Sequence, residues 1–195
     1  MAVNQITGAR GKVRSANLRR VPADQPPRTA SVEELKALAH PLRWRILRLC
    51  FDRAWTNQEL AERLEVAPAT VLRHVRALVG TGFLVAEPVR TGAKGALERP
   101  YRATGRTWRL GLVDDGDGLV QQVDLAMLGA HRAEIIEAGP DANRDVRRGV
   151  LRLGERSQAE LRERLVELIT EFVGRDEPDG EPLSYLWSLV ARPDR

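Results

Sequence analysis

The stretch TNQELAERLEVAPATVLRHVRALVG, Thr56–Gly80, decides how this chain folds. Thr56-Asn57-Gln58-Glu59 is a capping box, in which a hydroxyl and a carboxylate three residues on satisfy free amides of the first helical turn. Leu60, Ala61 and Leu64 follow at helical spacing, so a short helix is expected. Glu65-Val66-Ala67 leaves room only for a tight turn. Pro68 suits the first position of a helix, where there is no intrahelical N–H to lose. The helix it opens runs to about Val79, with Val71, Val75 and Leu78 inward, and Gly80 and Gly82 stop it. Ala69, Thr70, Arg73, Arg76 and Ala77 then point outward, with His74 beside them.

Upstream, Ser31-Val32-Glu33-Glu34 is another capping box, followed by Leu35, Leu38 and Ala39 at helical spacing. His40-Pro41 breaks that helix, because a residue before proline avoids the α region. The next helix runs to about Phe51 and carries Leu42, Ile46, Leu49 and Cys50 on one face. Downstream, the period changes from 3.6 to 2. Phe83–Glu87 reads as a strand, 91–95 as a basic glycine loop, and Leu97–Ala103 as the returning strand, with Pro100 placing it at an edge. Three helices, a braced fourth and a hairpin with a basic tip make a winged helix-turn-helix, in which one helix enters the DNA major groove.

The charge pattern agrees. Residues 1–30 carry six basic and one acidic residue, residues 31–110 fourteen and eight, and residues 111–195 eleven and eighteen. The first half thus faces a polyanion and the acidic remainder does something else. A single cysteine, Cys50, excludes an intramolecular disulfide and a cysteine metal cluster, and its apolar neighbours place it in a core. No run reaches the roughly 18 apolar residues of a membrane span, and no secretory signal precedes the basic N-terminus, so a cytoplasmic location is expected.

Three regions follow: a flexible basic tail (1–30), the winged helix-turn-helix (31–110) and a dimerisation or regulatory region (111–195). The fold class is α+β, mainly α. In the last region a helix of about 20 residues ending near Ala138 carries Leu119, Val123, Ala126, Met127 and Ala130 on one face. That stripe is the candidate helix–helix dimer contact; packing on its own winged helix is the alternative. Val146–Leu153 alternates as a strand would. A helix from Ser157 through Val173 has Leu161, Leu165, Leu168, Ile169 and Phe172 as its stripe. Leu183–Ala191 reads as a final strand. The strand-helix-strand is either a ligand pocket or a cap on the dimer, and Trp108, Tyr185 and Trp187 either line that pocket or fill a core.

The candidate chemistry is nucleic-acid recognition. Arg73 has the geometry to donate two hydrogen bonds to a guanine edge, and Thr70 can meet a base or a phosphate. Ala69, His74 and Arg76 complete the reading face, with His74 alternatively packed or facing a phosphate. On the wing, Arg90, Lys94 and Arg99 are placed along the phosphate backbone, where contacts position the protein without reading sequence.

The segments LKALAHPLRWRILRLC, TNQELAERLEVAPATVLRHVRALVGTGFLVAEP and ERPYRAT together resemble the ArsR-type winged-helix regulators, particularly actinobacterial members with an added C-terminal region. The likeness rests on Leu38, Ala39, Pro41, Arg43, Ile46, Glu59, Leu60, Val71, His74, Val75, Leu78 and Gly82, and covers about residues 31–105. It implies a homodimer that binds a palindromic operator in double-stranded DNA and represses, with a small-molecule effector possible. Metal-responsive members carry cysteines on the third helix or His/Asp pairs on the last. Here the third helix reads NQELAERLE, and His40, His74 and His131 lie on three different helices, so no metal site and no cofactor are expected. No phosphate-cradling glycine loop or nucleophile motif points to an enzyme. The competing reading is a winged-helix protein–protein module without base readout.

Overall fold

The computed structural model describes residues 28–92, 95–112, 117–175, 177 and 179–191, without the side chains of Trp108 and Arg109. The fold is mainly helical α+β. Its elements run β1 (Arg28–Thr29), α1 (Val32–Leu38), α2 (Pro41–Asp52), β2 (Trp55–Thr56), α3 (Asn57–Leu64), α4 (Pro68–Gly80), β3 (Leu84–Ala86), β4 (Arg90–Thr91), β5 (Leu97–Glu98), β6 (Pro100–Ala103), β7 (Leu110–Gly111), α5 (Leu119–Ala138) and α6 (Glu155–Arg175). Both capping boxes form: Ser31 and Thr56 each accept an amide three residues on, and Glu34 and Glu59 each reach back to the cap amide.

The two apolar periods meet in one core. Leu35 and Leu38 of α1, Ile46 and Cys50 of α2, Leu60 of α3, Val71, Val75 and Leu78 of α4, and Phe83 and Leu84 are all buried in a single cluster. Burial pushes the Cys50 thiol up to about 12, so it behaves as a small apolar side chain. β6 lies at the centre of a three-stranded antiparallel sheet, between β2 and β3. Pro100 is therefore not on an edge strand. It is tolerated because it is the first residue of β6, where a missing N–H costs no central ladder bond. The expected returning strand is in fact two: β5 pairs with β4 in the wing, and after Arg99 the chain turns to β3 and β2.

The N-terminal tail is tied down where the structure begins. β1 pairs in parallel with β7, and Ala30 N donates to Gly111 O at 3.1 Å. Arg28 and Arg106 both pair with the Glu34 carboxylate, which is 6% exposed. The hydrogen bond from Arg28, with help from the Ser31 amide and the Arg106 charge, holds that carboxyl down at about 2. The rest of the expected tail, 1–27, lies outside the described residues.

The stripe on α5 turns inward within the chain. Val123 is fully buried in the same cluster as Leu38 and Ile46, Ala126 and Ala130 are 3% exposed, and Leu119 and Met127 pack on the cluster's edge. Small residues let α5 approach closely: a side chain at Gly129 would meet the Pro41 ring, 3.2 Å from its Cγ. Four ion pairs and hydrogen bonds lock the seam. Glu137 takes Arg45 and, at 3.3 Å, Arg63; Glu134 takes Arg48 at 2.8 Å and the Ser184 hydroxyl at 2.7 Å. The face expected to form a dimer contact is thus occupied by α1 and α2, and the packed body runs past the 110–111 boundary to Ala138.

Beyond that body the chain changes character. Residues 146–153 and 183–191 form no strand; neither segment has a ladder partner among the described residues. Helix α6 forms two residues earlier and two later than its pattern predicts. None of its residues is buried.

Candidate nucleic-acid interface

Behind helix α4, the Arg43 side chain ties it to the end of α1. Its Nη1 donates to the carbonyls of Lys36 and Ala37 at 2.8 and 2.9 Å, closing the end of α1. Its Nε donates to His74 Nδ1 at 3.2 Å, reaching α4. His74 is 3% exposed and its ring lies 4.4 Å from that of His40. Burial, then the nearby His40, Arg43 and Arg73, lowers the His74 pKa to about 4, so the ring is neutral and accepts from Arg43. His74 therefore faces inward and does not belong to the reading face; it positions α4. Arg43 and His74 both appear in the family resemblance, but nothing in their spacing disclosed that they touch.

The front of α4 is open. Ala69, Arg73 and Arg76 are exposed, and Thr70 and Ala77 half-buried. Ala67 caps the helix without a side-chain bond; Pro68 has no N–H and the Thr70 amide donates to Ala67 O at 2.9 Å, so in the first turn only the Ala69 amide is left to meet an anion. The turn before it closes through Glu65 in the left-handed conformation (φ 55°), with Val66 N donating to Ala61 O at 3.0 Å. Asn57 Nδ2 donates to Pro68 O at 3.1 Å, fixing the start of α4 on the start of α3.

Ion pairing sorts the basic residues of this half. Arg45, Arg48 and Arg63 pair with α5; Arg28 and Arg106 with Glu34; Arg53 with Glu59; Arg102 with Glu87 at 2.5 Å. Arg90, expected on the phosphate backbone, pairs with Glu59 at 3.4 Å and Glu98 at 3.5 Å. Exposed pairs of this kind are weak and exchangeable, yet they neutralise Arg90 where it stands. Arg73, Arg76 and Arg99 take part in none of these pairs, and Arg99 is exposed on the wing. Lys94 lies outside the described residues.

Arg76 and Arg99 flank one open cleft of about 440 Å³ between α4 and the sheet. Leu72, Val79, Ala86 and Tyr101 also line it. A second hollow of about 170 Å³ lies where 186–189 cross α5, with Trp187 in its wall. That is smaller than the few hundred Å³ typical of a ligand site. Tyr185 is exposed, and the Trp108 side chain is outside the described residues. Among the described residues no group of three or more His, Cys, Asp or Glu converges as metal ligands, and no helix is long and apolar enough to cross a membrane.

Residues 38–86 match the family described as a helix-turn-helix domain. The match spans α2, α3, α4 and β3 and ends before the wing tip, covering about a quarter of the chain. With the sheet and wing that follow, the chain carries a winged helix-turn-helix domain. No curated protein matches the sequence. Among solved structures, the crystal structure of the transcriptional regulator SlyA superposes with a TM-score of 0.29 and 13% identity, covering 69% of this chain and 75% of that one. A superposition that loose carries no argument about function.

Proposed function

We propose that this protein is a sequence-specific DNA-binding transcriptional regulator of the ArsR type, a dimeric repressor of a palindromic operator. The observation that carries the reading is the sorting of charge. Of the described arginines of the winged helix, Arg43 is spent on backbone carbonyls and His74, and Arg73, Arg76 and Arg99 have neither an ion pair nor such a bond, two on the front of α4 and one across the cleft on the wing. A helix set into the major groove with a wing on the adjacent backbone needs cations at those places. Thr70 and Arg73 read base edges, Ala69 allows close approach to the groove floor, and Arg76 and Arg99 hold phosphates on either side of the cleft. A winged helix reads one half-site, so a second copy supplies the other.

In vitro selection of duplexes bound by the purified protein tests this. The expected winners share a palindrome, and binding weakens steeply with added salt. Absence of binding to any duplex at low salt would overturn the proposal in favour of a protein–protein module.

A further inference from the structure

Helix α6 has an apolar stripe of which no residue is buried among the described residues; the Arg175 guanidinium stacks on the Phe172 ring at 4.0 Å, and the charges flanking the stripe point to a second copy as its partner. Leu161, Leu165, Leu168 and Phe172 recur at alternating steps of four, three and four, which is the seam of a coiled coil. Leu168 is 50% exposed, Phe172 55%, and Leu161 and Leu165 only half-buried. The extended segments on either side add exposed Val146, Val150, Leu151 and Leu183. Large exposed apolar surface of this kind marks an interaction site.

The residues flanking the seam select both partner and direction. Counting Leu165 and Phe172 as a positions and Leu161 and Leu168 as d positions, Arg164 and Glu171 are the two g residues and Arg162 and Ile169 the two e residues. In an antiparallel pair g faces g and e faces e. Two copies of α6 related by a two-fold between residues 166 and 167 stack Leu165 on the second copy's Leu168, and Leu161 on the second copy's Phe172. That register sets Arg164 against the second copy's Glu171, and Glu171 against its Arg164. Ile169 then packs on the alkyl stem of the second copy's Arg162. In a parallel pair g meets e of the next turn, and Arg164 would face Ile169 with no acid opposite. Within its own helix each charge has only an exposed, exchangeable partner, Arg164 with Glu160 at 3.6 Å and Glu171 with Arg175 at 2.5 Å.

We infer that α6 joins two copies of this chain as an antiparallel two-helix seam, with Arg164 and Glu171 as the reciprocal pair that fixes its direction. This rests on, and deepens, the dimer part of the proposed function. It also places the dimer contact on α6 in place of the α5 stripe.

Sedimentation equilibrium of the full chain tests it by charge exchange. Arg164→Glu and Glu171→Arg each set like charges against each other twice, and each should raise the dimer dissociation constant by roughly tenfold or more. The double variant Arg164→Glu/Glu171→Arg restores complementarity only in the antiparallel register, and should return the constant to near that of the unmodified chain. Spin labels at Ala159→Cys report the direction independently, since Cys50 is fully buried. An antiparallel seam holds the two labels roughly 20–25 Å apart along the axis, whereas a parallel one brings them level. A dimer that ignores the single exchanges, or a double variant as weak as either single, overturns the inference and leaves a dimeric regulator standing. A chain monomeric at every concentration overturns the inference and the dimer together, while DNA binding is read separately by the duplex selection.

Discussion

The body from Arg28 to Ala138 and the arm from Asn143 to Ala191 obey the same hydrophobic rules with opposite results. Every described buried hydrophobic residue lies between Leu35 and Ala130. None lies in the arm, although α6 has as regular an apolar stripe as α4. The difference is one of partners. In the body, five helices and a three-stranded sheet present their apolar faces to one another. In the arm, a single helix lies between two segments without ladder partners among the described residues, and a helix buries nothing against itself. A periodic stripe states that a face needs burial; it does not name the surface that buries it.

The largest effect is expected from a truncation in the body. Phe83→Ala empties a fully packed position and should cost about 3–5 kcal/mol in urea unfolding. If Phe83→Ala proved mild, the single-core description of the body would fail.

Next in size is Arg73→Ala. It should lower affinity for the selected operator by roughly 10- to 100-fold and relax one base in each half-site, with unfolding unchanged. Retained base preference, measured by repeating the duplex selection, would remove Arg73 from the reading face.

Acid should weaken the body in two steps. His74 has a folded pKa of about 4 against an ordinary 6.5, so the unfolded chain takes up its proton first. The stability it contributes is complete above about pH 6.5 and is lost as pH falls towards 4. Glu34, held at about 2 against an ordinary 4.5, contributes stability that is present above 4.5 and lost as pH falls towards 2. Solvent around the half-exposed Arg28 and Arg106 screens this pair, leaving about 1–2 kcal/mol. Urea midpoints at pH 7, 5 and 3 should fall in sequence, and Glu34→Gln should flatten only the lower step. A Glu34→Gln chain that lost stability below pH 4.5 as the unmodified chain does would place the acid sensitivity elsewhere.

A change of similar size is expected at Gly82, whose φ of 73° lies in the left-handed region. A side chain there is strained by the backbone and would also meet the Arg106 guanidinium. Gly82→Ala should cost about 1–2 kcal/mol, and a thermal melt unchanged by it would show that the turn before β3 relaxes freely. The smallest effect closes the comparison. Phe172→Ala should change unfolding of the dilute chain by less than about 0.5 kcal/mol, because the side chain has left little water to return to. A loss approaching that of Phe83→Ala would mean the arm is part of the body.

Much of this protein is local enough to read from residues in order. The capping boxes at Ser31 and Thr56, Pro41 and Pro68 at helix starts, and the change of period at Phe83 all act within a few residues, so their reading and the structure agree. The same locality explains the outward placement of Arg73 and Arg76. What needed the tertiary structure was whatever depends on a distant partner. His74 lies one residue from Arg73, and only Arg43, thirty-one positions away, turns it into a buried acceptor. Arg90 reads as a phosphate contact, and only the fold places Glu59 and Glu98 beside it as exchangeable partners. The alternating residues of 146–153 and 183–191 read as strands, but a strand needs a neighbour to complete its ladder. The α5 stripe left two readings, another copy or the chain's own winged helix, and α1 and α2 of the same chain took it.

The sequence by itself determined where the helices begin and end, which of their faces are apolar, and that a braced helix is followed by a hairpin. These are set by backbone sterics, capping and side-chain period, which act over one or two turns. Only the tertiary structure decided which arginines lack a carboxylate partner and which apolar stripe stays out of the core. Charge pairing and burial depend on what lies across a gap in space, and separation along the chain does not encode that.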